Sequence, residues 1–179
     1  MNRLHVGLLL VVALALTLPA GADAKQRTRT FSSGPLGTPI ADNAAAASRI
    51  VLPKGTIRDI DVRVRLIHGR DEDVDLSLLP PAGIPLLLST DNGTTGNDYG
   101  AGANDCTGSF TVLDDASPVA ITDAAAPFAG FFRPEQPLAA LNGQQMKGPW
   151  WFLFIDDAGG NTGVLGCWEL EVTYKIKKK

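Results

Sequence analysis

Residues 57–66 read Ile57-Arg58-Asp59-Ile60-Asp61-Val62-Arg63-Val64-Arg65-Leu66. Successive side chains of an extended strand point to opposite faces, so Ile60, Val62, Val64 and Leu66 share one side and Asp61, Arg63 and Arg65 the other. The spacing predicts a half-buried strand over residues 59–66. Val74, Leu76 and Leu78 repeat the pattern, and Pro80-Pro81 ends it because proline cannot continue a ladder. Residues 86–88, 110–113 and 119–121 read as further short strands. Residues 150–155, Trp-Trp-Phe-Leu-Phe-Ile, are apolar on both faces, which predicts a central strand covered on both sides. Trp168, Leu170, Val172, Tyr174 and Ile176 alternate with Glu169, Glu171, Thr173 and Lys175. A glycine-rich loop separates these last two segments and predicts an antiparallel hairpin. The only helix-like composition, residues 44–47, is too short to stand alone. Short alternating strands divided by turn signals define an all-β sandwich.

The rest of the chain sets the boundaries. It has 179 residues, 45% hydrophobic and 20% charged, which argues against a collagen, a coiled coil or an acidic disordered chain. A net charge of −3 does not suit a nucleic-acid binder held by phosphate neutralisation. Residues 1–24 read as a signal peptide: Arg3, an apolar stretch over residues 6–18, then Pro19, Gly21 and small residues. Cleavage after Ala22 or Ala24 is expected. An uncleaved anchor is the rival reading, and thirteen apolar residues fall short of the roughly 20 a spanning helix needs. The expectation is a secreted protein, extracellular or periplasmic, with no membrane segment after cleavage. Residues 25–39 are polar and read as a flexible lead-in, with Phe31 docking on the domain. Residues 40–176 form the sandwich, and residues 177–179 are a basic tail. With Lys175 that tail reads either as a polyanion contact or as a solubilising terminus that discourages strand pairing. Residues 91–105 read as an exposed loop containing the sequon Asn92-Gly93-Thr94.

Cys106 and Cys167 are the only cysteines. An oxidising compartment favours their pairing, and closing a loop of this length contributes about 4 kcal/mol in the chain-entropy picture. A catalytic thiol or zinc site lacks partners, since there is no C-x-x-C and His68 is the sole histidine beyond the leader. Period 2 places Trp150 and Trp151 on opposite faces, so the tryptophans read as core rather than as a sugar-stacking platform.

The C-terminal half carries Gly130-Phe131-Phe132-Arg133-Pro134, Leu141-Asn142-Gly143, Gly148-Pro149-Trp150-Trp151-Phe152, the run Asp156 to Gly163 and Trp168-Glu169-Leu170. Upstream stand Val62-Arg63-Val64 to His68, Asp75-Leu76-Ser77-Leu78 and Leu113-Asp114-Asp115-Ala116. In this order and spacing they resemble the P domain (P/Homo B domain) of proprotein convertases and bacterial subtilisin-like serine proteases. There are departures: Asn161 stands where that family has a carboxylate, and the two cysteines fall outside its pattern. The resemblance implies a jelly-roll-like sandwich of antiparallel strands that accompanies a protease without being catalytic. It also implies calcium binding, known among its members.

Hydrolysis by a Ser/His/Asp triad needs three residues in mutual hydrogen-bond reach. No nucleophile segment or G-x-S-x-G occurs, so no catalytic residue is assigned and His68 is expected to be a packing residue at a strand end. Loop oxygens at Asp71, Asp73, Asp75, Asp114, Asp115, Asp156, Asp157 and Asn161 are candidate calcium ligands, because calcium takes six to eight oxygens. The alternative is that they accept backbone N–H bonds in turns. The expected partner is a secreted subtilisin-like protease, or an extracellular protein or glycan. A stand-alone glycan- or protein-binding module is the second reading, and a peptidase the third.

Overall fold

The computed structural model describes residues 25–176, so the leader and the basic tail lie outside the described residues. Its strands are β1 (Lys25–Ser32), β2 (Thr38–Ile40), β3 (Ala45–Leu52), β4 (Thr56–His68), β5 (Val74–Leu79), β6 (Leu86–Ser89), β7 (Thr111–Leu113), β8 (Gly130–Phe132), β9 (Gly148–Asp156) and β10 (Gly163–Ile176). One sheet runs β1-β10-β4-β7-β8, with β2 also on β10; the other runs β3-β9-β5-β6. All pairings are antiparallel except β7 with β8. The chain is an all-β sandwich, as the alternation predicts.

The core lies between the sheets. Ile60, Val62, Val64 and Leu66 of β4 and Trp168, Leu170 and Val172 of β10 face Leu76 and Leu78 of β5 and Trp150, Phe152 and Phe154 of β9, all buried. Phe152 and Trp168 stack across the gap with centroids 5.4 Å apart. Trp150 Nε1 donates to Met146 O and Trp168 Nε1 to Ser48 Oγ, so both indole N–H groups are satisfied.

Several expectations change. β9 and β10 do not form a hairpin: they sit in opposite sheets, and the 157–162 loop carries the chain across the sandwich. Phe152 of β9 and Trp168 of β10 meet through the interior, which period 2 alone could not distinguish from a shared sheet. β9 is central, with β3 and β5 beside it, but only one of its faces is covered. Trp151 and Leu153 are half-buried and Ile155 is 40% exposed, with the Arg49 guanidinium lying over the Trp151 ring. Residues 25–32 are a strand rather than a flexible lead-in. They pair along their length with β10, yet nearly every side chain is exposed, so an edge strand held by its main chain leaves no hydrophobic alternation. Phe31 does dock, against the core and 6.4 Å from Tyr174. Residues 44–47 lead into β3, where alanines serve as small strand residues rather than helix formers. Residues 119–121 form no strand, only a bridge from Ala120 to Arg133 and a 3-10 turn at Ile121–Asp123.

The 91–105 loop is not wholly exposed. Tyr99 is fully buried, bridges to Leu66 and shares a 2.9 Å hydrogen bond with Ser89. Arg65, expected on the solvent face, is 2% exposed. Its guanidinium donates to four backbone carbonyls, of Leu66, Tyr99, Gly102 and Ala103, and so organises that loop. A disulfide joins Cys106 to Cys167, tying the end of the loop to β10. Asn92 of the sequon is buried, its amide donating to Ser89 and Glu135, so it is closed to a glycosylating enzyme in the folded chain.

Candidate functional site

Strand direction gathers the acidic residues. β4 ends, β5 begins, β9 ends and β10 begins at one end of the sandwich. The loops there bring together His68, Asp71, Glu72, Asp73, Asp91, Asp98, Asp156, Asp157 and Asn161.

His68 and Asp156 form the floor. Both side chains are fully buried; His68 Nε2 lies 3.1 Å from Asp156 Oδ2, and Nδ1 lies 2.7 Å from Arg70 O. The other Asp156 oxygen accepts from Ala158 N. The pair joins β4 of one sheet to β9 of the other. Both ring nitrogens are thus engaged inside the clasp.

Above this floor Asp73 Oδ2 accepts from Asn161 Nδ2 at 2.9 Å, and Arg70 pairs with Glu72. Asp71 is fully buried: Oδ1 accepts from Asp98 N at 2.9 Å, while Oδ2 has no hydrogen-bond partner. Burial pushes its carboxyl up to about 8; the Asp98 N–H opposes this and the Asp98 charge adds to it. Asp75 is also raised, by burial and then by Asp157 and Asp91, and its Oδ1 is buried without a partner. Glu72, Asp73, Asp91 and Asp157 ring a shallow pocket of about 280 Å³ beside Ala158.

Of the eight proposed calcium ligands, six meet at this end: Asp71, Asp73, Asp75, Asp156, Asp157 and Asn161. Asp114 and Asp115 lie elsewhere. Asp114 accepts from Ala116 N within its own turn, and Asp115 accepts from Leu138 N and Ala139 N at the start of a 3-10 helix. Both carboxylates accept backbone N–H groups there. Glu72 joins the cluster from the 3-10 turn Asp71–Asp73, and Asp91 and Asp98 through the 91–98 loop folding back onto Asp71, where Asp71 N donates to Gly96 O. Among the described residues no three carboxylates bring oxygens within 4.8 Å of one another. The one ligand group that close is Cys106, Cys167 and Glu169, whose sulfurs are consumed in the disulfide.

No protein-family model matches the chain, and no curated protein matches it. Solved structures do. The chain is similar to the serine protease of Aeromonas sobria in its complex with the chaperone ORF2, at 18% identity and a TM-score of 0.51 over 88% of this chain and 28% of that one. It is also similar to the same protease alone, at 16% identity and a TM-score of 0.51 over 87% and 28%. The chain thus spans 28% of the protease it matches. At these identities the likeness is one of fold.

Proposed function

We propose that the chain is a non-catalytic P/Homo B-like module that accompanies a secreted subtilisin-like serine protease, as a folding or stabilising partner, and that it binds calcium at its acidic end. One observation carries the protease reading: nearly the whole sandwich superposes on a minor part of a serine protease chain. The ordered motifs from Val62 to Trp168 support it independently, because they resemble the P domain of that protease class. The closed His68–Asp156 pair also supports it, since a residue built as an inter-sheet clasp is not a free general base.

Calcium is supported by the unpartnered, buried oxygens of Asp71 and Asp75. A divalent cation would offset the desolvation that holds Asp71 protonated, and it would have to recruit loop carbonyls beside the carboxylates. The residues to hold it are Asp71, Asp75, Asp98 and the ring of Glu72, Asp73, Asp91 and Asp157. Asp156 and Asn161 would support it through His68 and Asp73.

The test is tagged capture from the native secretome, with calcium or with EDTA, scored for a subtilisin-like serine protease by mass spectrometry. Stoichiometric recovery of that protease supports the reading, and its absence under both conditions removes it. Calcium titration followed by calorimetry decides the ion: saturable binding lost in Asp71→Asn supports it, and no heat at millimolar calcium rejects it. A stand-alone glycan-binding module is the second reading, favoured by the pocket described next.

A further inference from the structure

The opposite end of the sandwich has the opposite charge. The chain contains seven lysines. Lys25 opens β1 opposite Ile176; Lys54 lies in the turn between β3 and β4; Lys147 immediately precedes β9; Lys175 pairs with Thr56 near the end of β10. All four stand at the end where β4 starts and β10 finishes. Lys177, Lys178 and Lys179 follow Ile176 directly in sequence. β4 spans 13 residues, so about 40 Å of strand separates this end from the acidic loops. Beyond Lys175 and the C-terminal run, no linear charge pattern reveals the grouping, because strand pairing brings Lys25, Lys54 and Lys147 together from distant segments.

Between the lysines lies a pocket of about 400 Å³, lined by Lys54, Gly55, Thr56, Gln145, Lys175 and Ile176. Among the described residues no carboxylate and no aromatic ring lines it. Its floor is fixed: the Gly55 backbone lies against the Tyr174 ring and Met146, where an added Cβ would meet Tyr174 at 2.5 Å and the Met146 sulfur at 2.7 Å. Gln145 Nε2 donates to Thr56 Oγ1 at 2.9 Å. Thr56 therefore keeps its own hydroxyl proton, and Gln145 its amide oxygen, for a ligand in the pocket.

We infer that this pocket binds the anionic groups of an acidic polysaccharide, with Lys54 and Lys175 neutralising a sulfate, phosphate or carboxylate and Thr56 and Gln145 bonding sugar hydroxyls. Lysines act as mobile point charges, which suits dispersed anionic substituents better than one planar bidentate group. The missing aromatic platform separates this surface from a single-stranded nucleic-acid groove, where bases stack on rings. The carboxylates at the far end and the lysines at this one orient an approaching polyanion towards the pocket.

Heparin is the probe, with neutral dextran and vesicles of phosphatidylglycerol and phosphatidylcholine as alternatives, and binding is measured from 50 to 300 mM salt. The expected result is saturable heparin binding that weakens with salt. In the double variant Lys54→Gln/Lys175→Gln affinity falls roughly tenfold, and the slope of log affinity against log salt becomes shallower by about 2, one for each anion contact removed. Heparin also protects Lys54 and Lys175 of the unaltered protein from acetylation, a readout that needs no variant. Five results would overturn the proposal: no heparin binding, equal binding to dextran, binding to vesicles alone, unchanged affinity in the double variant, or loss only when Lys177, Lys178 and Lys179 are replaced.

Discussion

Phe152 and Leu153 are neighbours in β9 with opposite fates, and substituting each by alanine measures how the strand is covered. Phe152 is fully buried, stacked at 5.4 Å on Trp168 of the other sheet and 6.2 Å from Phe154. Phe→Ala at such a site costs about 3–5 kcal/mol through lost transfer energy and the cavity left behind. Each kcal/mol lowers the melting midpoint of a domain this size by about 2–4 °C, so Phe152→Ala should lose about 12 °C. Leu153 points out of the second sheet and is half-buried, beside Ala47 and Ser77 on the flanking strands. Half a leucine's burial corresponds to about 1 kcal/mol, or about 3 °C for Leu153→Ala. The assay is urea unfolding followed by tryptophan fluorescence, with thermal melts alongside. The midpoint should move at an unchanged m-value in both variants. Equal losses would refute the reasoning, because they would mean that the outer face of β9 is covered as fully as the inner one.

Other outcomes follow from the same geometry. Arg65→Lys should cost about 3 kcal/mol and accelerate hydrogen exchange at residues 99–104, since one ammonium cannot serve four carbonyls and a buried charge is left poorly paired. Replacing both cysteines by serine should lower stability by about 2–4 kcal/mol in urea melts and loosen residues 99–110. Burial and the charges of Asp114, Asp59, Glu171 and Asp115 push Asp61 up to about 7. The folded state then holds a proton that the unfolded state releases near pH 4, so this group's contribution to stability falls as pH rises from about 4 to 7. Asp61→Asn should flatten that part of the stability profile, and an unchanged slope would count against the assignment.

The alternating strands β4, β5 and β10 were legible because each buries one face, and period 2 records that directly. β1 was not, since its side chains are exposed on both faces and only main-chain pairing with β10 defines it. The partner of β9 was not legible either: Trp168 pairs with Phe152 through the interior, a relation that leaves the same pattern as a hairpin. At the acidic end, the composition of the loops pointed to Asp71, Asp73 and Asp157. It could not separate Asp115, which caps a 3-10 helix 23 residues away in sequence, from the clustered carboxylates. Asp91 and Asp98 reach the cluster through a loop whose path is set by Arg65 and Tyr99, neither of which carries a loop signature. The lysine end was read only at its C-terminal run, because Lys25, Lys54 and Lys147 meet it through strand pairing.

The central proposal is a sandwich that accompanies a protease without a hydrolytic centre of its own, with His68 held as a clasp against Asp156. Reaction of the purified protein with a fluorescent fluorophosphonate, alongside cleavage of a casein substrate, tests it most directly. The account predicts no labelling and no cleavage above a heat-denatured control. Labelling and cleavage that both disappear in His68→Ala, with the variant still folded by circular dichroism, would contradict it.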